Sequence, residues 1–276
     1  MNSAPSSNAI DPLPEFSPSF VGVYPASDIN MRRFGIFESD LAIDFAGSNT
    51  AVLITRILEQ CTVDPDGRLS AGFFRELSIS RRLECLLAIA AGEEGSAFNF
   101  PFHCAGCEQE IELELTLEDI ADQQREADLI ETVEIEIKGK PFSFRKPCGL
   151  DQENWAKMVF RDQREAVEAM IRSLAVTHDM PESLDTDTID LLDEAMCEAD
   201  PLVNFRCRVT CAECSSPNEF FIDLYDVALG TLSRNKQQLI VMVHKLASHY
   251  HWSENEIFAV PYWRRKEYLN LIAVGR

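Results

Sequence analysis

The chain has 276 residues, of which 46% are hydrophobic, enough for a substantial core in one large domain or two small ones. Its formal net charge of −21 disfavours nucleic acid or an anionic membrane as the main partner, because both would repel it. No stretch approaches the roughly 20 apolar residues that cross a bilayer.

The chain has nine cysteines, which is an odd number. Residues 1–25 contain neither the basic segment nor the apolar run of a secretory signal. The sequence therefore predicts synthesis in a reducing cytoplasm, where paired CxxC motifs bind a metal more often than they form disulfides.

The beginning of the chain predicts an extended arm followed by helices. Residues 1–40 are expected to form the arm, because the first 30 are rich in Ser, Pro and Asn. Residues 41–276 are expected to form one α+β domain. Its first helices are predicted over residues 50–59, before a turn at 65–67, and over residues 80–91, closed by Gly92. Cys85 lies on the apolar face of the second helix and is interpreted as a core thiol.

Two hairpins are predicted next. In the first, within residues 98–117, Ile111, Leu113 and Leu115 alternate with glutamates, as in a half-buried strand. Thr116 caps a short helix, and Asp119, three residues on, completes the capping box. The second hairpin pairs residues 133–137 with residues 142–145 around a glycine turn.

The second half of the chain is predicted to be mainly helical. A long helix is expected over residues 152–176, capped by Asp151, and another over residues 188–197. After a hairpin at 203–224, C-terminal helices are expected over residues 226–276. The first of these is expected to break near Gly230, and the last to begin at Pro261 after a Ser253–Glu256 capping box.

The most informative pattern is a duplicated CxxC turn, formed by Cys104 with Cys107 and by Cys211 with Cys214. A shift of 107 positions superimposes the two turns and their flanking strands without a gap. Two thiolates per turn are half of a tetrahedral zinc shell, so the two turns together complete it. The sequence predicts one structural Zn²⁺ per chain, held by two zinc knuckles.

Other interpretations of the duplicated turns stay open. The turns could carry free thiols without a metal. A redox CxxC is disfavoured, because redox pairs begin a helix after a strand and these pairs lie between strands. Four thiolates would leave zinc no open position, so a metal here would be structural and not catalytic.

The remaining cysteines and the histidines show no second site. Cys207 aligns with an inward strand position and is interpreted as packing, while His103 is a weak substitute ligand. No ligand pattern is found for Cys61, Cys148 and Cys197. The late histidines are interpreted as surface or interface polar residues: His244, His249 and His251. With no hydrolase, phosphate-loop or dinucleotide motif, no enzyme is expected.

The C-terminal tip is basic although the chain is acidic. Residues 262–276 contain one acidic residue, Glu267, and four basic residues: Arg264, Arg265, Lys266 and Arg276. The tip is either a docking surface for an acidic partner or an ordinary solvated helix face.

Three stretches carry a resemblance that covers about residues 70–272: residues 77–87 with 102–107 and 110–115, residues 144–151, and residues 243–269. Together they resemble one family, the zinc-knuckle baseplate hub or hub-assembly proteins of contractile-tailed bacteriophages and related contractile injection systems. The second stretch, residues 144–151, resembles the family's Arg-x-Pro-Thr-Gly-x-Asp run, with Cys148 at the place of Thr.

The resemblance implies a non-enzymatic protein of the virion tail baseplate, in contact with other hub and tail proteins. Carried over by position, only the four knuckle cysteines become site residues. Ala105 and Glu213 depart from the family's usual Pro or Gly, which alters the turn but keeps the thiols. Two alternatives remain: a transient assembly chaperone absent from the particle, and a zinc-ribbon adaptor in transcription or nucleic-acid processing.

Overall fold

The computed structural model describes residues 30–47, 49–64, 69–91, 97–127, 129–177 and 180–274. Within them, small antiparallel hairpins lie among helices, so the predicted α+β class is confirmed. The strands are β1 (Asn30–Met31), β2 (Thr62–Val63), β3 (Ala97–His103), β4 (Glu110–Thr116), β5 (Thr132–Ile137), β6 (Lys140–Arg145), β7 (Arg206–Thr210) and β8 (Pro217–Phe221).

A short 3₁₀ helix spans Glu38–Ala42. The α-helices are α1 (Thr50–Cys61), α2 (Phe73–Glu76), α3 (Ile79–Ala91), α4 (Leu117–Ala127), α5 (Gly149–Trp155), α6 (Gln163–Leu174), α7 (Thr186–Ala199), α8 (Leu224–Tyr250), α9 (Glu254–Ala259) and α10 (Tyr262–Val274). None of the described helices is long and apolar enough to span a membrane.

The largest hydrophobic core lies around α3, which is buried along almost its whole length. Helix α1, the bases of the β3–β4 and β7–β8 hairpins, and the first half of α8 pack around it. Cys85 lies in this core, as predicted. Both CxxC hairpins therefore rise from one packed base.

Two smaller cores lie beside the first. The β5–β6 hairpin packs its alternating apolar side chains against α6 and α7. The second half of α8 packs against α9 and α10. The predicted capping box is present at α9: the Ser253 side chain accepts from the Glu256 N–H, and the Glu256 side chain accepts from the Ser253 N–H. Pro261 directly precedes α10.

The prediction of one long helix over residues 152–176 is wrong. The chain forms α5 and α6 instead, with a non-helical segment between them. Asp162 caps α6 by accepting from the Glu165 N–H, and the Trp155 indole donates to the Ser173 hydroxyl at 3.0 Å across the two helices. Folding back gives α6 its contact with the β5–β6 hairpin, which one straight helix could not make. Asp151 acts within the first turn of α5, where it accepts from the Cys148 N–H.

The predicted break near Gly230 is also wrong. Helix α8 runs without interruption for 27 residues, and it begins at Leu224 because Asp223 caps it. Ala228 and Leu232, on either side of the glycine, are fully buried in the large core. Their packing outweighs the roughly 1 kcal/mol by which glycine disfavours a helix interior.

The last part of the predicted N-terminal arm belongs to the folded domain. Residues 30–40 include β1, paired with β2, and Phe34, which lies in the large core. Arg32 and Asp40 form a buried bidentate ion pair with distances of 2.7 and 2.8 Å. Residues 1–29, the predicted turn at 65–67 and Gly92 lie outside the described residues.

Candidate metal centre

The structure brings the four predicted cysteines together. The Sγ atoms of Cys104, Cys107, Cys211 and Cys214 all lie within 4.8 Å of one another. Two of the sulfur pairs join one turn to the other: Cys104 to Cys214 at 3.5 Å and Cys107 to Cys211 at 3.7 Å. No other group of three or more potential ligands in the described residues meets this condition.

The two hairpins that carry these thiols have the same backbone register. Phe102 pairs with Ile111 in the first hairpin, and the residues 107 positions later, Val209 and Asn218, pair in the second. In each hairpin the CxxC turn joins the strands at the far end from the core. The gap-free repeat of the sequence therefore corresponds to a repeat of structure.

The repetition extends to the hydrogen bonds of each turn. The Cys104 N–H donates to the Gln109 carbonyl at 2.8 Å, and the Glu108 N–H donates back to the Cys104 carbonyl at 2.9 Å. Cys211, Ser215 and Ser216 repeat these bonds at 3.0 and 2.9 Å. The residue after the second cysteine has a positive φ in both turns, 61° at Glu108 and 58° at Ser215. This backbone turns both sulfurs of each pair to one side.

Contacts outside the sulfurs also join the two turns. Asn218 of β8 accepts a hydrogen bond from the Ala105 N–H at 2.9 Å, and its amide nitrogen lies 3.6 Å from the Cys104 sulfur. Below them, the rings of Phe102 and Phe220 stack with centroids 4.0 Å apart. The protein itself therefore holds the two hairpins in contact.

Close packing explains the glycine of the first turn. A Cβ at Gly106 would lie 2.7 Å from the Ser216 hydroxyl oxygen and 3.5 Å from the Cys214 sulfur. The corresponding residue of the second turn, Glu213, is exposed. The two turns are thus alike in backbone but unlike in surroundings.

Hydrogen bonds favour the thiolate form at two of the four cysteines. The Gly106 N–H, 3.3 Å from the sulfur, lowers the pKa of Cys104 to about 6. A hydrogen bond from Ser216 lowers the pKa of Cys214. At Cys107 the Gln109 backbone bond favours the thiolate, but the neighbouring thiols, Cys214 first, outweigh it and raise the pKa to about 12. A bound dication would stabilise all four thiolates and displace the remaining protons.

The sulfur geometry fits a tetrahedral dication. With metal–sulfur bonds of about 2.3 Å, the edge of a tetrahedral thiolate shell is about 3.8 Å. The cross-turn distances of 3.5 and 3.7 Å lie close to that value. Four cysteines close together can bind one metal ion.

The other sequence candidates lie elsewhere. Cys207 is in the large core, as predicted, and burial raises its pKa. Cys148 precedes α5, and Cys197 lies 3.0 Å from the Asn204 amide nitrogen. The side chains of His103, His244, His249 and His251 are exposed.

Sequence reasoning missed Asn218 as part of the centre. The signal was present, because Asn218 occupies the position of Ile111 in the repeat, so a polar residue stands where the other copy has an apolar one. Its side chain is nevertheless buried, with only 7% of its surface exposed. Such a substitution in an otherwise matching repeat indicates a local hydrogen-bonding role.

Comparisons with known proteins do not identify the chain: no family model, no curated protein and no solved structure matches it.

Proposed function

We propose that the chain is a structural or assembly protein of a contractile-tail baseplate, in which one zinc ion stabilises the joint between two hairpins. The observation that carries the zinc part is the convergence of four sulfurs from two distant segments within 4.8 Å. Zinc prefers a closed tetrahedral shell of thiolates at structural sites. The proposed role of the ion is structural, because the four cysteines fill its shell.

The position of the centre supports a clamp. Hairpin β3–β4 leads into α4, and β7–β8 leads into α8, the longest described helix. An ion bound to both turns would fix the directions in which these helices leave the hairpins. Structural zinc sites in small peptides contribute about 10–16 kcal/mol of apparent binding free energy, which exceeds the whole stability of many domains.

The baseplate part of the proposal rests on the resemblance, and the roles of its residues agree with a structural protein. The Ile79 N–H donates to the Pro147 carbonyl and the Gly149 N–H donates to the Leu77 carbonyl, each at 3.1 Å. These two bonds fasten the Arg-x-Pro-x-Gly-x-Asp-like run to the start of α3. Arg82 of α3 is fully buried and occupies the space that a side chain at position 149 would need.

The C-terminal stretch of the resemblance also packs internally. Tyr250, Trp252 and Tyr268 form an aromatic cluster with centroids 4.8 to 5.5 Å apart, which joins the end of α8 to α10. The residues that carry the resemblance therefore fasten helices to one another. These internal contacts support the proposal that the chain is a rigid structural protein.

The zinc part is tested by metal analysis of the purified chain. We expect about one zinc per chain, and loss of that zinc in the Cys104→Ser, Cys211→Ser double variant. The Cys148→Ser, Cys197→Ser double variant is the matched control and should keep its zinc. Zinc that is absent from the wild type after reloading, or that survives in the first variant, would disprove the clamp.

The baseplate part is tested by locating the chain during tail assembly. Mass spectrometry of mature particles and of isolated assembly intermediates should detect it. Presence in mature tails indicates a permanent component, and presence in intermediates alone indicates a chaperone. If neither sample contains the chain, the baseplate proposal is wrong, whatever the zinc content.

A further inference from the structure

The four thiols of the centre differ in their access to solvent. Cys104 and Cys211 are buried, with 1% and 3% of their surfaces exposed, and Cys107 is partly buried. Cys214 is exposed, and it is the only exposed one among the nine cysteines, all of which the structure describes. Exposure is one of the properties that decide which cysteine of a protein is oxidised. A dissolved oxidant therefore reaches Cys214 before the other thiols of the chain.

A thiol of the other hairpin lies directly beside Cys214. The Sγ atoms of Cys104 and Cys214 are 3.5 Å apart. Reacting atoms that are held about 3–3.5 Å apart are already near the distance from which a bond forms. Because Cys104 is buried, it is shielded from a dissolved oxidant until Cys214 has reacted. The pair thus combines an accessible thiol with a second thiol that can resolve its oxidised form.

Contacts of the protein itself hold these two sulfurs close together. The Asn218 side chain, on one hairpin, accepts a hydrogen bond from the Ala105 N–H of the other at 2.9 Å. The rings of Phe102 and Phe220 stack across the two hairpins with centroids 4.0 Å apart. The bases of both hairpins pack in the large core. The approach of the two sulfurs therefore has support other than a bound metal.

We propose that Cys214 and Cys104 form an oxidation site, at which a hydroperoxide produces a disulfide that joins the two hairpins. In the first step the Cys214 thiolate attacks hydrogen peroxide: an S–O bond forms, the O–O bond breaks, and hydroxide leaves. In the second step the Cys104 thiolate attacks the sulfur of the resulting sulfenic acid: the S–S bond forms, the S–O bond breaks, and a second hydroxide leaves. The two sulfurs lose two electrons in total, and the peroxide gains them.

This disulfide would take over the joining role that we propose for zinc. Its two cysteines are 110 positions apart, and a disulfide that closes a long loop restricts the unfolded chain more than one that closes a short loop. A disulfide within either CxxC turn would leave the hairpins unconnected. The inference rests on the same cysteines as the proposed zinc clamp, but the disulfide itself requires no zinc.

The first test maps the disulfide in the full-length chain. The chain is stripped of metal with a chelator, checked by circular dichroism, and treated with an equimolar amount of hydrogen peroxide before the free thiols are blocked. Trypsin should then release one turn within residues 83–125 and the other within residues 209–234. Mass spectrometry should find these two peptides linked to each other.

Three results of this mapping would overturn the proposal. The first is a disulfide within each peptide instead of a link between the two. The second is oxidation of Cys214 to a sulfinic acid without a disulfide, because Cys104 would then not resolve it. The third is unfolding of the metal-free chain, because the proposal requires the protein itself to hold the sulfurs together.

Paired variants assign the reaction to individual cysteines. The Cys107→Ser, Cys211→Ser variant keeps the proposed pair, and the matched Cys211→Ser, Cys214→Ser variant keeps only the two thiols of the first turn. We expect the disulfide to form about tenfold faster in the first variant, because its sulfurs are already in contact and one is exposed. Equal rates, or a faster reaction in the second variant, would contradict this assignment.

The role of exposure is tested with the other cross-turn pair. The Cys104→Ser, Cys214→Ser variant keeps Cys107 and Cys211, whose sulfurs are 3.7 Å apart but of which neither is exposed. It should form its disulfide more slowly than the variant that keeps Cys104 and Cys214. A faster reaction of this pair would show that Cys214 is not the entry point of the oxidant.

The zinc content of the untreated chain separates this proposal from the zinc clamp. A chain that binds no zinc but forms the linked peptides would contradict the clamp and support the oxidation site. A chain that binds one zinc but forms disulfides only within its turns would support the clamp and contradict the oxidation site.

Discussion

Asn218 and Cys104 lie on different hairpins, and the amide of Asn218 contacts the cysteine turn directly. The Asn218 nitrogen is 3.6 Å from the Cys104 sulfur and also donates to the Ser216 carbonyl at 2.9 Å. Its oxygen accepts from the Ala105 N–H at 2.9 Å. One buried side chain therefore hydrogen-bonds to both turns of the centre, in addition to any ion that joins them.

Replacing this amide should weaken the fold. We expect Asn218→Leu to lower the free energy of unfolding by about 1–3 kcal/mol, because it leaves the Ala105 N–H without its partner. Urea unfolding of the wild type and the variant at neutral pH measures the difference. Asn270→Leu, on the exposed face of α10, should change the value by less than about 0.5 kcal/mol. Equal effects of the two substitutions would contradict this role of Asn218.

The two turns should differ in their tolerance of a side chain. Gly106→Val places methyl groups against Ser216 and the Cys214 sulfur, so we expect a loss of about 1–3 kcal/mol in the free energy of unfolding. Glu213→Val alters the equivalent, exposed position of the second turn and should be tolerated. Thermal unfolding of both variants provides the comparison. A Gly106→Val protein as stable as Glu213→Val would show that the turns are not packed as described.

The ion pair of Arg145 with Asp151 should make stability depend on acid pH. Burial by itself would raise the pKa of Asp151, but the hydrogen bonds from Arg145 and from the Cys148 N–H outweigh it and lower that pKa. A carboxylate whose pKa is lowered by folding contributes stability that is fully present above its unfolded pKa of about 3.9. That stability is lost as the pH falls below this value.

Asp151→Asn should remove this contribution. We expect the variant to lose about 1–3 kcal/mol at neutral pH and to unfold with a shallower dependence on pH below about 4. Urea unfolding at a series of pH values measures both effects. Asp122→Asn breaks the exposed pair with Arg125 and should cost less than about 1 kcal/mol. A variant with the wild-type pH dependence would refute the assignment to Asp151.

Gly230 offers a stabilising substitution. A Cβ there would meet only the Arg234 guanidinium, at an ordinary contact distance of 3.5 Å, within an unbroken helix. Gly230→Ala should therefore raise the free energy of unfolding by about 0.5–1 kcal/mol. Gly149→Ala is the opposite case, because its Cβ would overlap the buried Arg82 guanidinium. Differential scanning calorimetry should show a higher Tm for the first variant and a lower Tm for the second, and any other order would contradict this description.

Features encoded within a few residues could be predicted from the sequence. The capping boxes of Thr116 with Asp119 and of Ser253 with Glu256 depend on residues three positions apart, and both are present. The alternation of Ile111 and Leu115 with glutamates similarly placed the β4 strand. These signals are local, so nothing distant in the chain can change them easily.

Features that depend on distant contacts could not be predicted in this way. The local pattern of residues 152–176 favours one helix, but the packing of α6 on the β5–β6 hairpin requires two. Gly230 is a local helix breaker, but the burial of Ala228 and Leu232 keeps α8 continuous. In both cases the free energy gained by tertiary packing exceeds the free-energy cost of going against the local sequence preference.

By itself the sequence determined the chemistry of the centre: two turns, each with two thiols, in a repeat whose spacing needs no gap. Only the tertiary structure decided that the sulfurs meet, that Asn218 bonds across the turns, and that a side chain at Gly106 would crowd Ser216. The reason is physical. The shape of a turn is set by bonds among neighbouring residues, whereas the meeting of two turns depends on how the core beneath them packs.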